Sequence, residues 1–393
     1  MTSDDAMRDG VELNDQMISR MKASGAIRSS AVEAAFRGTP RHLFLPGVGL
    51  DLVYSGNAIV TRSDPECGIT SSSSEVAVMG PMLETLQLEP GSRVLEIGAG
   101  TGYNAALLHH LVGSSGEVTS IDNQPAVVDD AREHLQIAGH NQVRLLAGDG
   151  HAGVAAGAPF DRIIATASVR DIPIAWRDQL RDGGVLVVPL RFGPGAQFVA
   201  TFARRSDRLT SVRAVPGGFM PLRTDGETLE TPLRVAPDFD VQIASAQEGD
   251  AEILAELLAT EPAISVSGIY AGQALFSIAG LVERDWITIR PRWRNGSWQG
   301  VFDRTARGVA FVWPIVLPSG VSRTSVLVHG STAAGERLRS VLDQLADVSL
   351  DRVTLDAVPR DQGRPSADVV YERPNFWYAV SWHAARASSS PAR

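Results

Sequence analysis

A chain of 393 residues, 44% apolar and 21% charged, has the make-up of a soluble globular protein and the length of two ordinary domains. Its net charge of −9 argues against a nucleic-acid-binding surface and suits a neutral or basic peptide partner, while a single cysteine, Cys67, excludes internal disulfides and cysteine-based zinc sites, so no metal is expected. No apolar run approaches the ~20 residues of a membrane span and the polar start lacks a signal pattern, so a cytoplasmic location away from membranes is expected.

Leu13, Met17 and Met21 recur every four residues, and Val32, Ala35 and Phe36 form a second face. Residues 11–36 are therefore expected as one or two helices, divided by Gly25. Lys22 is the only lysine among 36 basic residues, which reflects codon bias rather than chemistry. Pro40 and Pro46 forbid a continuous helix over 39–47 and predict an extended passage. A polar loop is expected from Ser63 through Pro65 to the serine run 71–74, then a helix over 75–88 with Val76, Met79, Leu83 and Leu86 on one side.

Residues 93–97 read as a buried strand that breaks at Gly98, Gly100 and Gly102 into a helix. Strands at 118–122, 143–147, 160–165, 184–189 and 198–202 continue an α/β pattern to about Arg213. Beyond Leu233 the pattern changes. A helix near 249–259, strands near 286–289, 297–302 and 308–313, a helix over 332–346, and strands near 352–357 and 376–382 form an α+β module long enough to fold alone. Six of the seven tryptophans (Trp286, Trp293, Trp298, Trp313, Trp377 and Trp382) lie in it, mostly for packing, with a minority suited to a peptide groove.

The glycine turn is where a small cofactor would lie. A dinucleotide fingerprint needs a third glycine at position 103, where Tyr103 stands, so a nicotinamide cofactor is disfavoured. A turn that serves only the fold is the plainer alternative. The spacing Glu96-x-Gly98-x-Gly100-x-Gly102 resembles the first motif of S-adenosylmethionine-dependent methyltransferases of the doubly wound fold, and three later motifs stand in register with it. That resemblance implies a cofactor site made of Glu96, Gly98, Ala99, Gly100, Thr101, Gly102, Tyr103 and Asn104, with Asp122 and Asn123 at the ribose. It further implies Gly148, Asp149 and Gly150 at the adenine, Thr166 after the fourth strand, and S-adenosyl-L-homocysteine as the spent cofactor.

Ile27, Val32, Ala35, Phe36, Pro40, Arg41, His42, Phe44 and Pro46 complete a pattern that a generic methyltransferase lacks. With 88–98, Gly102-Tyr103, Pro159-Phe160-Asp161 and 180–184 they make residues 11 to about 215 resemble the protein-L-isoaspartate O-methyltransferase family. The resemblance implies an α/β, doubly wound, Rossmann-like class I methyltransferase domain over 1–225, and a smaller α+β C-terminal domain is expected over 226–383 with a disordered tail at 384–393. Gln197 aligns with a family glutamine near substrate or cofactor. His42 and His151 have no partner legible in sequence, and structural roles are expected for both.

Two departures bear on the acceptor. Repair enzymes of the family carry Thr-Ile-Ser-Gln/Ala-Pro at the substrate floor, whereas the aligned residues here are Ser72, Ser73, Ser74, Glu75 and Val76. The serines are expected to orient the acceptor carboxylate; the alternative is a linker in which Ser74 caps the next helix. The second departure is the C-terminal extension, expected to recognise peptide and to leave cofactor binding alone. Together they resemble the methyltransferases of actinobacterial ribosomal-peptide clusters (lanthipeptide, lasso or graspetide), which esterify an ordinary aspartate of a peptide, often cyclised, that then closes to aspartimide or isoaspartate. Repair of isoaspartyl proteins and a catalytically silent cofactor-binding scaffold are the alternatives.

Overall fold

A computed structural model describes residues 3–64, 68–223, 233–235, 238–243, 246–267, 273–292, 297–316, 322–346, 348 and 353–382. Cys67, Trp293, the 225/226 boundary and the tail 384–393 lie outside the described residues.

Two N-terminal helices form, α1 (Ser3–Ala23) and α2 (Ser30–Gly38), with Gly25 in a left-handed conformation (φ 75°) between them. Ser29 starts α2 by accepting the Val32 N–H at 3.2 Å, and the helix buries Val32, Ala35 and Phe36. The passage between the prolines is not extended as expected: Arg41–Phe44 make one turn of 3-10 helix, and α3 (Leu50–Val53) follows. Nor is 63–74 a loop. Its described residues 63–64 and 68–73 belong to two antiparallel strands, β1 (Ile59–Asp64) and β2 (Gly68–Ser73). Its serines pass for a linker in sequence, yet the backbone pairs Ile59 with Ser73 and Val60 with Ser72. Helix α4 (Val76–Leu86) comes next, with its N-cap at Glu75 and no side-chain cap, so Ser74 does not serve as one.

The α/β core runs β3 (Arg93–Ile97), α5 (Tyr103–Val112), β4 (Glu117–Asp122), α6 (Pro125–Ile137), β5 (Arg144–Ala147), β6 (Phe160–Ala165), α7 (Ile174–Gln179), β7 (Leu180–Gly193), β8 (Ala196–Arg205) and β9 (Arg208–Pro216). Strands β5, β4, β3, β6 and β7 are parallel neighbours in that order, and β8 and β9 add antiparallel. The chain leaves β3 toward β4 and β5 and returns to β6 on its other side. Such a switch point opens a crevice at the carboxyl ends of the strands, where ligands of doubly wound sheets bind. Val94, Leu95 and Ile97 of β3 are wholly buried, as a central strand requires.

The remainder comprises β10 (Leu233–Val235), β11 (Phe239–Ile243), α8 (Asp250–Leu258), β12 (Ala263–Ser267), α9 (Gln273–Val282), β13 (Trp286–Pro291), β14 (Trp298–Asp303), β15 (Gly308–Val316), β16 (Ser322–Gly330), α10 (Ala333–Leu345), β17 (Val353–Pro359), β18 (Val369–Glu372) and β19 (Phe376–Trp382). Seven of these strands form one sheet in the order β10-β11-β13-β14-β15-β16-β12. The last three do something else. They extend the first sheet to ten strands, β17 lying beside β9 with Ala357 opposite Leu209. β17 covers this edge of β9 with one backbone bridge, and the Asp356 carboxylate accepts the Ser211 N–H at 2.8 Å.

The expected self-contained module over 226–383 is thus corrected to a region that shares both sheet and core with the first half. Phe198, Phe202 and Leu186 pack in one apolar cluster with Trp286, Leu338 and Tyr378. The Tyr378 hydroxyl also donates to Asp171 at 2.9 Å and accepts the Ile172 N–H at 2.7 Å.

Candidate active site

At the switch point lies a cavity of about 300 Å³, at the lower end of the range for small-molecule sites. One side of it is the turn after β3. Gly98 adopts φ 98°, and a Cβ there would stand 2.5 Å from the Thr166 Oγ1, whose hydroxyl donates to the Gly98 carbonyl at 2.6 Å. Gly100, at φ 51°, is different: only the Ser72 carbonyl oxygen, at 3.7 Å, would lie within 4 Å of an added Cβ. Absence of a side chain at Gly100 keeps the cavity open.

Ala99, Thr101, Tyr103 and Asn104 line the cavity beside this turn, and Asp122, Asn123, Gly150 and Thr166 line it from the ends of neighbouring strands. Asp122 sits at the tip of β4, where it accepts the Gly100 N–H at 3.2 Å and the Gln124 N–H at 3.1 Å. Burial raises its pKa and these backbone donors oppose the rise. The result is a carboxylate fixed by neutral donors at the cavity wall.

Other expected residues stand behind the wall. Glu96 is fully buried and accepts from Asn104 Nδ2 at 2.8 Å and from Ser120 Oγ at 2.5 Å, so it positions Asn104 and does not line the cavity. Burial pushes its pKa up to about 7, against the pull of those two bonds. Gly102 caps α5 and packs toward Ala131 and Leu135; Gly148 donates its N–H to the Asp122 carbonyl at 2.9 Å. Asp149 turns to its own chain, accepting the His151 N–H at 2.9 Å, with its carboxylate 3.1 Å from the His151 ring. Gln197 accepts the Phe219 N–H at 3.2 Å and thereby holds the segment that forms the far wall.

The opposite side of the cavity is β2. Strand alternation buries Ser71 and Ser73 and leaves Ser72 and Ser74 half-exposed along the cavity. Ser71 accepts from the Thr61 hydroxyl at 2.9 Å, and Ser73 from Arg41 at 3.2 Å. Among the described residues the hydroxyls of Ser72 and Ser74 have no protein partner, so of the three expected serines these two can receive a ligand. The pair of strands is fastened over the cavity by Gln124, which donates to the Thr70 carbonyl at 3.1 Å, and by the Arg62–Asp130 ion pair.

Two parts of this arrangement were not foreseen. Arg41 is wholly buried and donates to the carbonyls of Val53, Asn57 and Ser74, each at 2.9 Å, with no carboxylate partner among the described residues. It locks the serine strand in place, and its only sequence signal was membership of the Pro40-Arg41-His42 run. The second part is 218–223, which walls the cavity and is pinned through Ser168, whose N–H reaches the Met220 carbonyl at 2.7 Å and whose carbonyl accepts the Leu222 N–H at 2.8 Å. His42 does have a partner, with its Nδ1 2.6 Å from the Tyr54 hydroxyl.

No helix among the described residues is long and apolar enough to cross a membrane. The family model for protein-L-isoaspartate(D-aspartate) O-methyltransferase matches residues 12–226. A protein-L-isoaspartate O-methyltransferase of Ignicoccus hospitalis is 33% identical over 211 residues, which cover 54% of this chain and 97% of the relative. Protein-L-isoaspartate O-methyltransferase 1 of Rhodopseudomonas palustris is 35% identical over 220 residues, or 54% of this chain and 86% of the relative. A solved structure titled protein-L-isoaspartate O-methyltransferase shares the fold at TM-score 0.51 and 22% identity, over 94% of this chain and 99% of that one. With more than half of its length matched by the family model, the chain belongs to the protein-L-isoaspartate(D-aspartate) O-methyltransferase family and is a carboxyl O-methyltransferase.

Proposed function

We propose that the chain methylates the side-chain carboxylate of an aspartate in a ribosomally made peptide, using S-adenosylmethionine, and that the ester then closes to aspartimide, which water opens to isoaspartate. The observation that carries this reading is the pair of unpartnered hydroxyls at Ser72 and Ser74, set across the cavity from a glycine turn with room for a ligand at Gly100. When bound, the cofactor supplies a sulfonium methyl that a carboxylate oxygen takes up, the carbon–sulfur bond breaking with its electrons left on sulfur.

The residues present fit that cofactor. Asp122 offers its carboxylate to ribose hydroxyls, Ala99 to Asn104 follow the methionine portion, and Gly150 and Leu222 flank the space for the base. Ser72 and Ser74 donate to the acceptor carboxylate, and Arg41 behind them holds the strand that carries them. A carboxylate with an ordinary pKa near ~4 is already ionised at neutral pH, so no general base is required. Placement is what the protein contributes, and good alignment alone supplies on the order of 7–11 kcal/mol. Ring closure needs no protein group: the next backbone nitrogen attacks the ester carbonyl, and methanol departs with the amide proton.

Repair of isoaspartyl protein is the second reading. It is favoured by family membership and by the solved structure above, whose fold follows the C-terminal region of this chain as well. Mass spectrometry separates the two. The enzyme is given S-adenosylmethionine with an aspartyl peptide in cyclised form, the same peptide in linear form, and an isoaspartyl peptide. The proposal expects the aspartyl peptide to gain one CH2 and then to end one water lighter than it began; turnover of the isoaspartyl peptide alone would overturn it in favour of repair.

A further inference from the structure

A second cavity, of about 410 Å³, lies beside the first. Its walls are mainly apolar, with Ala26 from the α1–α2 turn, Pro81 and Met82 from α4, and Val199 and Val215 from β8 and β9, and Ser24, Thr85 and Thr201 add hydroxyls. Val78 lines both cavities. Gly217 stands at the same junction, where an added Cβ would lie 3.0 Å from Val199 and 3.9 Å from Val78. Val78 and Gly217 therefore stand between the acceptor serines and the groove. Arg213 supplies the charge there, and no carboxylate among the described residues pairs with it.

We propose that this groove seats the peptide segment adjoining the methylated aspartate, with apolar side chains against Met82 and Val215 and an acidic group at Arg213. The inference rests on the function proposed above. Its reach is set by α4: from Val78 to Thr85 the helix rises about 10 Å, which an extended peptide spans in about three residues. A chain whose aspartate sits at Ser72 and Ser74 needs only to cross Val78 to enter the groove. The wall that the two cavities share at Val78 selects the substrate itself as occupant, and the unpaired guanidinium selects an acidic residue within it.

Two substitutions test this away from the methyl-transfer cavity. Ala77 is exposed and lines the groove alone, so Ala77→Trp fills it, and Arg213→Glu reverses its charge. Wild type and both variants are assayed on a minimal blocked aspartyl peptide flanked by glycines, and on peptides carrying two apolar residues and one glutamate on either side of the aspartate. The proposal expects the apolar-acidic flank on one side to lower KM at least tenfold in wild type. Each variant should lose that advantage while kcat on the minimal peptide and S-adenosyl-L-homocysteine affinity stay unchanged. Flank-independent KM in wild type, or an advantage that survives both variants, overturns the groove. Absence of turnover on every peptide instead overturns the function on which it rests.

Discussion

The first half of the chain and the seven-stranded sheet treat buried charge in opposite ways. Around the cavity, Glu96, Asp122 and Arg41 are held by neutral partners: an amide and a hydroxyl, backbone N–H groups, and carbonyls. In the C-terminal region the charges cancel one another. Arg304 grips Asp250 through bonds of 2.7 and 2.9 Å, Arg337 grips Glu283, and both arginines meet on Asp285 at 3.0 and 2.9 Å. Burial works to raise the Asp250 pKa, and Arg304 together with the Gln247 N–H outweighs it. Charge that is paired within the fold is spent on structure, whereas charge held by neutral dipoles keeps its field at the cavity. The C-terminal region accordingly reads as a buttress, and the chemistry belongs to the first half, whose residues alone line the two cavities.

The largest expected effect comes from removing the buttress. A chain ending at Leu222 would uncover the β9 edge and strip Trp286, Leu338 and Tyr378 from the core they share with Phe198 and Phe202. It should be insoluble or unfolded on expression, and a folded, cofactor-binding fragment would break the account of a shared core. Next, Asp250→Ala leaves Arg304 with Asp285 and should cost about 1.5–3 kcal/mol in urea unfolding, the worth of bonds to a charged group whose arginine keeps another acidic partner. S-adenosyl-L-homocysteine affinity of the folded variant should not change, since no member of this network lines the cavity. An affinity loss beyond threefold would contradict the division of labour.

Glu96 gives a pH-dependent counterpart. Its folded pKa is raised, so the stability it contributes is fully present below about pH 4.5 and is lost as pH rises through about 7. The interval corresponds to about 3 kcal/mol. Glu96→Gln keeps acceptor and donor capacity toward Asn104 and Ser120 without titrating. The stability of wild type minus that of the variant should fall between pH 4.5 and 8, and parallel curves would show that Glu96 is ionised throughout.

How much of this could be read from residues alone follows from the range of each interaction. The turn after β3 and the acid ending β4 are local features, and both line the cavity. The pairing of β1 with β2 was hidden because the serines and threonine mimic a linker while pairing depends on Ile59 and Val60 on the other strand. Asp149 was placed at the base by motif position, and only the short turn after it reveals that His151 takes the carboxylate. Arg41, the 218–223 wall and the addition of β17 to β9 depend on partners 12 to 148 positions away in the chain, which no local pattern encodes.

The central claim is that the glycine turn and Asp122 hold S-adenosylmethionine. Isothermal titration of S-adenosyl-L-homocysteine into wild type, Gly100→Val and Asp122→Ala tests it most directly. Asp122→Ala should weaken binding by about 1–3 kcal/mol, roughly fivefold to 150-fold, through lost bonds to a charged group. Gly100→Val should weaken it at least as much, because a branched side chain would fill the space beside the Ser72 carbonyl. Both variants must remain folded by circular dichroism. Cofactor affinity unchanged in the two folded variants would contradict the account.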